Sequence, residues 1–112
     1  RMEAAVAKLL EDPPIQLQLS AALYLAQFRR YSGLETVKQA TKSAYAPVRA
    51  QACMTLGWFP GSMAAALLGQ QFSDNEEQVR LSAAAAVLRL QSYEDSVAKS
   101  ASVEDSTDYL GP

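Results

Sequence analysis

Three stretches of the sequence read DPPIQLQLSAALYLAQF (residues 12–28), SAYAPVRAQACMTLGWF (43–59) and DNEEQVRLSAAAAVLRL (74–90), and they decide the fold. Each stretch starts 31 residues after the one before it, and similar residues recur at matching positions. Within each stretch, apolar residues are spaced i, i+4, i+8 and i+11, which places them on one face of an α-helix. These residues are Leu17, Ala21, Leu25 and Phe28, then Val48, Ala52, Leu56 and Phe59, and then Val79, Ala83, Val87 and Leu90. The sequence therefore predicts three copies of one helical unit.

Capping and turn residues mark where the predicted helices begin and end. Asp12 and Asp74 stand where helix-capping residues are favoured, and two prolines that a first helical turn tolerates follow Asp12. Ser32-Gly33 and Pro60-Gly61 predict the turns between successive units. These signals predict six helices, alternately short (A) and long (B), at about 2–10, 14–30, 34–42, 46–59, 62–72 and 76–91.

The predicted fold is all-α: a right-handed α-solenoid of three helix-pair repeats with a period of 31 residues. The repeats cover about 1–31, 32–61 and 62–91. Ala21, Ala52 and Ala83 recur at one position of the unit, so we expect them to be buried where helices approach closely. We expect the thiol of Cys53, beside Ala52, to be inaccessible.

The charges are divided unevenly along the chain. Residues 1–91 carry nine basic and seven acidic side chains, whereas residues 92–112 carry one basic and five acidic side chains. The second segment is therefore an acidic C-terminal tail. Within it, residues 96–103 can form a short helix that lies over the third unit as a cap, and a linker without fixed structure is the alternative.

The residue types that most enzymes and metal sites use are scarce. The chain has no histidine that could activate its one cysteine, Cys53, or bind zinc. We therefore predict no catalytic residues, no metal site and no cofactor. No apolar run is long enough to cross a bilayer, so no membrane partner is expected.

Residues 43–52 and 73–83 resemble HEAT repeats, and more narrowly the short HEAT-like repeats of the phycobilisome-lyase type. The signature of that type is an Asp, then Val-Arg, then alanines, as in Asp74, Val79-Arg80 and Ala83. The resemblance covers roughly residues 2–91 and implies an armadillo-like α-solenoid that binds macromolecules along its B helices.

Two units depart from the signature. The first has Leu17-Gln18 in place of Val-Arg, and the second has Ser43 in place of Asp. Because the repeat type is named after lyases, the resemblance leaves a bilin lyase, or a subunit or chaperone of one, as an alternative function. A fold does not by itself carry a function, so this alternative rests on the resemblance alone.

Four charged residues are candidates for structural contacts between repeats. In repeats of this kind the arginine of the Val-Arg pair reaches an acid near a helix start and ties adjacent repeats together. That role falls to Asp12, Arg49, Asp74 and Arg80. The alternative is that Arg49 and Arg80 bind an anionic ligand.

The candidate binding residues lie on the side of the B helices next to the predicted core face. Four positions of each B helix form this strip, and the residues predicted to bind are Tyr24, Gln27, Gln51, Thr55, Trp58 and Arg89. Tyr, Trp and Arg are frequent in binding hot spots. The alternative for Trp58 is that it covers the end of the core. The predicted function is a non-enzymatic scaffold or adaptor for a protein or peptide, and the acidic tail argues against nucleic acid.

Overall fold

A computed structural model describes residues 2–4 and 14–109 of the chain, with the side-chain environments of residues 2–4 and 14–99. Residues 2–4 are helical, and the remaining described part contains helices and turns but no strand. The helices are α1 (Ile15–Gln27), α2 (Leu34–Ala40), α3 (Ala46–Leu56), α4 (Gly61–Gln71) and α5 (Glu77–Tyr109). Most of the predicted helix 2–10, and Asp12, lie outside the described residues.

Helices α1, α3, α4 and α5 begin where the sequence supplies prolines or a capping acid, whereas α2 begins directly after Gly33. Pro14 and Pro60 directly precede α1 and α4, and Pro47 lies in the first turn of α3, where no intrahelical N–H bond is lost. Before α5, the backbone N–H of Glu76 donates to Oδ1 of Asp74 over 2.9 Å. Asp74 thus satisfies one of the free N–H groups at a helix start.

Helix α1 ends in a conformation that normally favours glycine. Arg29 has a φ of 60°, in the left-handed region. The N–H of Arg30 donates to the carbonyl of Leu25, and that of Arg29 to the carbonyl of Ala26, each over 2.9 Å. This pair of bonds is a Schellman motif with arginine at the usual glycine position.

The B helices α1, α3 and α5 form one layer, in which α3 packs against both α1 and α5. The A helix α2 packs against α1 and α3, and α4 packs against α3 and α5. Helices α3 and α5 therefore contact the A helices of their own units, α2 and α4, and neighbouring B helices contact each other, which is the arrangement of an α-solenoid.

The predicted small-residue contacts are buried in this arrangement. Ala52, Ala83 and Cys53 are fully buried, and Ala21 is 5% exposed. The core is one continuous cluster that runs through all five helices, consisting of Leu19, Ala22, Ala26, Val37, Ala40, Val48, Ala52, Cys53, Leu56, Phe59, Ala64, Leu68, Val79, Ala83 and Ala86.

The predicted core face is wrong at two positions of the first unit. Leu17 is 46% exposed and Phe28 is 59% exposed, although their equivalents in the second unit, Val48 and Phe59, are buried. Helix α3 is covered on both sides by B helices, whereas the described part of the chain places a B helix on only one side of α1. The apolar residues of α1 at the uncovered side therefore stay in contact with solvent.

The predicted end of the last helix near residue 91 is also wrong, because α5 continues to Tyr109. No glycine or proline interrupts residues 77–109, so nothing in the backbone ends the helix where the packing ends. The segment 96–103 is thus a continuation of α5 and not a separate capping helix. The side chains of residues 91–99 are exposed, and the carboxylate of Glu94 lies against Gly61 at the start of α4. The capping role of residues 96–103 stays a prediction.

Candidate binding surface

The strip of predicted binding residues faces the preceding B helix over much of its length. The Nε2 group of Gln51 in α3 donates to the backbone carbonyl of Gln16 in α1 over 3.1 Å. Ala86 of α5, at the position equivalent to Thr55, lies against Gly57 of α3. We call this side of a B helix its front face, defined by residues 16, 20, 24 and 27 of α1 and their equivalents 47, 51, 55 and 58, and 78, 82, 86 and 89.

The assignment of Thr55 to the binding surface is wrong. Its side chain is 2% exposed, and its hydroxyl donates to the carbonyl of Gln51 over 2.8 Å. The helical spacing placed Thr55 on a polar side of α3, but that side is closed by the neighbouring helix. Gln51 is half-buried for the same reason, and its amide is already used in the contact with Gln16.

The front face remains open at the C-terminal ends of the B helices. Gln27, Trp58 and Arg89 occupy one position of the repeat, and we call them the end row. The guanidinium carbon of Arg89 lies 3.2 Å from the centroid of the Trp58 ring, within the range of a cation–π contact. Gln27 and Arg89 are exposed, whereas Trp58 is half-buried and packs against the core. Trp58 therefore covers the end of the core and also presents part of its ring outside.

Tyr24 is not joined to the Trp58–Arg89 pair by any described contact. Its ring lies 5.0 Å from that of Phe28, centroid to centroid, and its hydroxyl donates to the sulfur of Met2 over 3.5 Å. The structure thus separates Tyr24, which contacts Phe28, from the pair formed by Trp58 and Arg89.

Arg49 and Asp74 join the second and third units through a bidentate ion pair. Nε of Arg49 donates to Oδ2 of Asp74 over 2.8 Å, and Nη2 donates to Oδ1 over 3.0 Å. The two side chains are only 14% and 10% exposed. The hydrogen bond from Arg49 lowers the pKa of Asp74, and the same bond raises the pKa of Arg49. The ion pair connects α3 to the segment that precedes α5.

Arg80 makes a different contact. Its Nη1 donates to the backbone carbonyl of Asp74 over 2.6 Å, and among the described residues no acid lies within ion-pair distance of it. The repeat register predicts an acid from a following unit for Arg80, and no such unit follows the third among the described residues. Asp12 lies outside the described residues, so its predicted contact stays a prediction.

The residues that sequence reasoning missed are exposed apolar side chains on the last B helix. Leu81 and Leu88 are 62% and 64% exposed. The repeat register contained the signal that could have found them, because their equivalents in the first unit, Leu19 and Ala26, are apolar as well. The helical spacing alone does not show which side of α5 has no neighbouring helix.

Cys53 has the environment of an inert thiol. Burial is the main cause that raises its pKa to about 11, and the charge of Asp74 adds to this effect while Arg49 opposes it. Within residues 2–4 and 14–109 no group of side chains is arranged to hold a metal ion. No helix of this described part is both long and apolar enough to span a bilayer.

Comparison with known families agrees with the helix arrangement. A family model of HEAT repeats matches residues 2–89. The chain is a HEAT-repeat protein. HEAT repeats commonly mediate protein–protein interactions, and the family is typically non-enzymatic. The search of curated proteins finds no match to this chain. Membership of the narrower phycobilisome-lyase type stays a prediction.

Proposed function

We propose that this HEAT-repeat protein is a non-enzymatic interaction module that binds a protein or peptide at its end row. The observation that supports this most is the stacking of Arg89 on Trp58, 3.2 Å from the guanidinium carbon to the ring centroid. Trp and Arg are enriched in binding hot spots, particularly where they are held in place before the partner arrives.

The geometry of the pair leaves its hydrogen-bonding groups available. A guanidinium that stacks on a ring uses its face, so the N–H groups in its plane can still bind a carboxylate or a carbonyl oxygen. Among the described residues no acid forms an ion pair with Arg89. The pair therefore offers a partner an aromatic surface beside a fixed cation, and the half-buried Trp58 loses little side-chain freedom on binding.

The test uses Trp58 itself as the reporter, because it is the only tryptophan of the chain. Random peptides displayed on phage are selected on the immobilised protein, and the binding of each selected peptide is then measured by Trp58 fluorescence. Arg89→Gln removes the cation at an exposed position. Lys99→Gln is the matched control, because it removes one positive charge from the same helix about 15 Å further along the axis.

Peptides that bind the end row should lose at least about fivefold in affinity with Arg89→Gln and almost none with Lys99→Gln. Circular dichroism verifies that both variants keep the helix content of the unmodified chain. Equal affinities for the unmodified chain and Arg89→Gln would show that the end row is not the binding surface. Equal losses of affinity in the two variants would show that peptide binding depends on the net charge of the protein and not on the position of Arg89.

A further inference from the structure

The three B helices have a second side in common, which is covered by a neighbouring helix in α1 and α3 and exposed in α5. We call it the back face and define it by Leu19, Ala22 and Ala26 of α1, by Ala50, Cys53 and Gly57 of α3, and by Leu81, Ala84 and Leu88 of α5. In α1 all three residues are buried, and in α3 Cys53 and Gly57 are buried and Ala50 is half-buried. In α5 all three residues are exposed.

The contact between Gly57 and Ala86 shows what covers the back face of α3. A Cβ atom placed on Gly57 would lie 3.2 Å from the Cα of Ala86 and 3.3 Å from its Cβ. The back face of one B helix therefore packs on the front face of the next. The back face of α5 has the same repeat positions and a more apolar composition than that of α3, but no described helix follows it.

Arg80 repeats the pose of Arg49 at this open face. Nη1 of Arg49 donates to the carbonyl of Ser43 over 3.0 Å, and Nη1 of Arg80 donates to the carbonyl of Asp74, the equivalent residue 31 positions later. The Nε and Nη2 groups of Arg49 bind the carboxylate of Asp74 in the following unit. The same two groups of Arg80 have no acidic partner among the described residues.

We propose that Arg80, Leu81, Ala84 and Leu88 form a docking surface for an α-helix of another polypeptide. The junction between α3 and α5 indicates which residues that helix should carry. Its N-terminal capping residue is an aspartate that binds the fork of Arg80, as Asp74 binds Arg49. A small residue follows twelve positions later, as Ala86 follows Asp74, and allows the helix backbone to approach the leucines.

The structure argues against two occupants from this chain. A second copy would present the front face of its α1, but Tyr24 stands there where α3 and α5 carry Thr55 and Ala86. A tyrosine prevents the close approach that these small residues allow. The acidic residues after position 91 lie on the continuous helix α5, which carries them along its axis and away from Arg80.

This surface includes neither Trp58 nor Arg89, so the proposal goes beyond the end row and does not depend on it. The probe is a fluorescein-labelled peptide of residues 73–92, the segment that covers the back face of α3 within the chain. A lactam bridge between Ala84→Glu and Leu88→Lys of the peptide holds it helical on the side away from the contact, because both positions are exposed in the chain. Fluorescence anisotropy measures its binding to the full chain.

Saturable binding is expected, and Leu88→Glu in the protein should weaken it about tenfold or more. Val97→Glu is the control, because residue 97 is exposed on the same helix and lies about 180° around it from residue 88. Changing Asp74 of the peptide to Asn should weaken binding to the unmodified protein. It should have little further effect on the Arg80→Gln protein, because the two changes remove the same contact.

Four results would overturn the proposal. The bridged peptide could fail to bind, or Val97→Glu could weaken binding as much as Leu88→Glu does. The Asp74→Asn change in the peptide could weaken binding to the unmodified protein and to the Arg80→Gln protein by the same factor, which would show that this aspartate does not pair with Arg80. Sedimentation velocity of the full chain tests the remaining occupant: a dimer that Leu88→Glu dissociates would assign the face to a second copy and contradict binding of a helix from another polypeptide.

Discussion

The two junctions between successive B helices use the same repeat positions with different residues. Between α3 and α5, Arg49 and Asp74 form a bidentate ion pair and Gly57 lies against Ala86. Between α1 and α3, the positions of that ion pair are occupied by Gln18 and Ser43. One hydrogen bond between these two helices runs from the side-chain amide of Gln51 to the backbone carbonyl of Gln16.

This difference shows which contacts the stacking of the helices requires and which contacts only add stability. Both junctions form, so the arginine–aspartate ion pair is not required to stack the helices. The ion pair and the glycine contact then make the second junction closer and more specific. Mutations at the second junction should therefore have larger effects than equivalent mutations at the first.

The largest effect is expected for Gly57→Val. Any side chain at this position meets the backbone of Ala86 at about the minimum contact distance, so α3 and α5 must separate. Overpacking of this kind lowers the free energy of unfolding by about 1–3 kcal/mol. Urea denaturation monitored by circular dichroism measures the change.

Gly69→Ala is the matched control for this prediction. Gly69 lies in α4 and has no atom within 4 Å of its Cβ position, so the added methyl group meets no obstacle. Alanine in a helix is favoured over glycine, and the variant should gain up to about 1 kcal/mol. A destabilisation of the same size in both variants would show that Gly57 is not a close-contact site.

A smaller loss of stability is expected when the Arg49–Asp74 pair is broken. Arg49→Gln and Asp74→Asn should each lower the midpoint of thermal unfolding, and the double variant should lose less than the sum of the two, because the single changes remove one shared contact. Gln51→Ala at the first junction, which removes the hydrogen bond to the backbone of Gln16, is the comparison and should have the weaker effect. Additive losses would contradict a direct coupling between Arg49 and Asp74.

The same pair predicts a pH dependence. The pKa of Asp74 is lowered from its ordinary value of 3.8, first of all by the hydrogen bond from Arg49. A carboxyl group whose pKa is lower in the folded than in the unfolded state stabilises the fold fully at pH values above its unfolded-state pKa. This contribution is lost as the pH falls towards its folded-state pKa. The stability advantage of the unmodified chain over Asp74→Asn should therefore be full at neutral pH and shrink below about pH 4.

The smallest change is expected for Arg29→Gly at the end of α1. Glycine adopts the left-handed conformation of this position without steric cost, and the variant should gain about 0.5–1 kcal/mol. Arg29→Ala removes the same charge but keeps a Cβ atom, so it should show no gain. Chemical denaturation measures the free energy of unfolding of both variants and so separates the backbone effect from the effect of the charge. Equal values for the two variants would contradict a backbone effect at this position.

The sequence predicted the α-solenoid and the interior of the second and third units well. The fully buried Ala52, Ala83 and Cys53 lie in helices that have neighbours on several sides, where helical spacing determines burial. The spacing could not tell which polar side of α3 faces α1, and for this reason Thr55 was assigned to the surface. Register shows which residues share a face but not which faces have neighbours.

The ends of the molecule were the least predictable from sequence. Leu17 and Phe28 follow the core pattern, yet they are exposed because burial there depends on a neighbouring helix and not on the residues themselves. The length of α5 was missed because loss of apolar periodicity indicates the end of packing, whereas residues without glycine or proline can continue a helix. The stacking of Arg89 on Trp58 was not predicted as a contact, although both residues were on the predicted surface.

The most direct test of the stacking order compares two thiols at one repeat position. Cys53 lies on the closed back face of α3, and in a Cys53→Ala chain, Ala84→Cys places a thiol at the equivalent position on the open back face of α5. With a disulfide reagent at pH 8, the introduced thiol should react as fast as one in an unfolded peptide, whereas Cys53 of the unmodified chain should react only when the chain opens. Equal reaction rates of the two thiols, whether both fast or both slow, would contradict a stack in which each B helix covers the back face of the one before it and the last back face stays open.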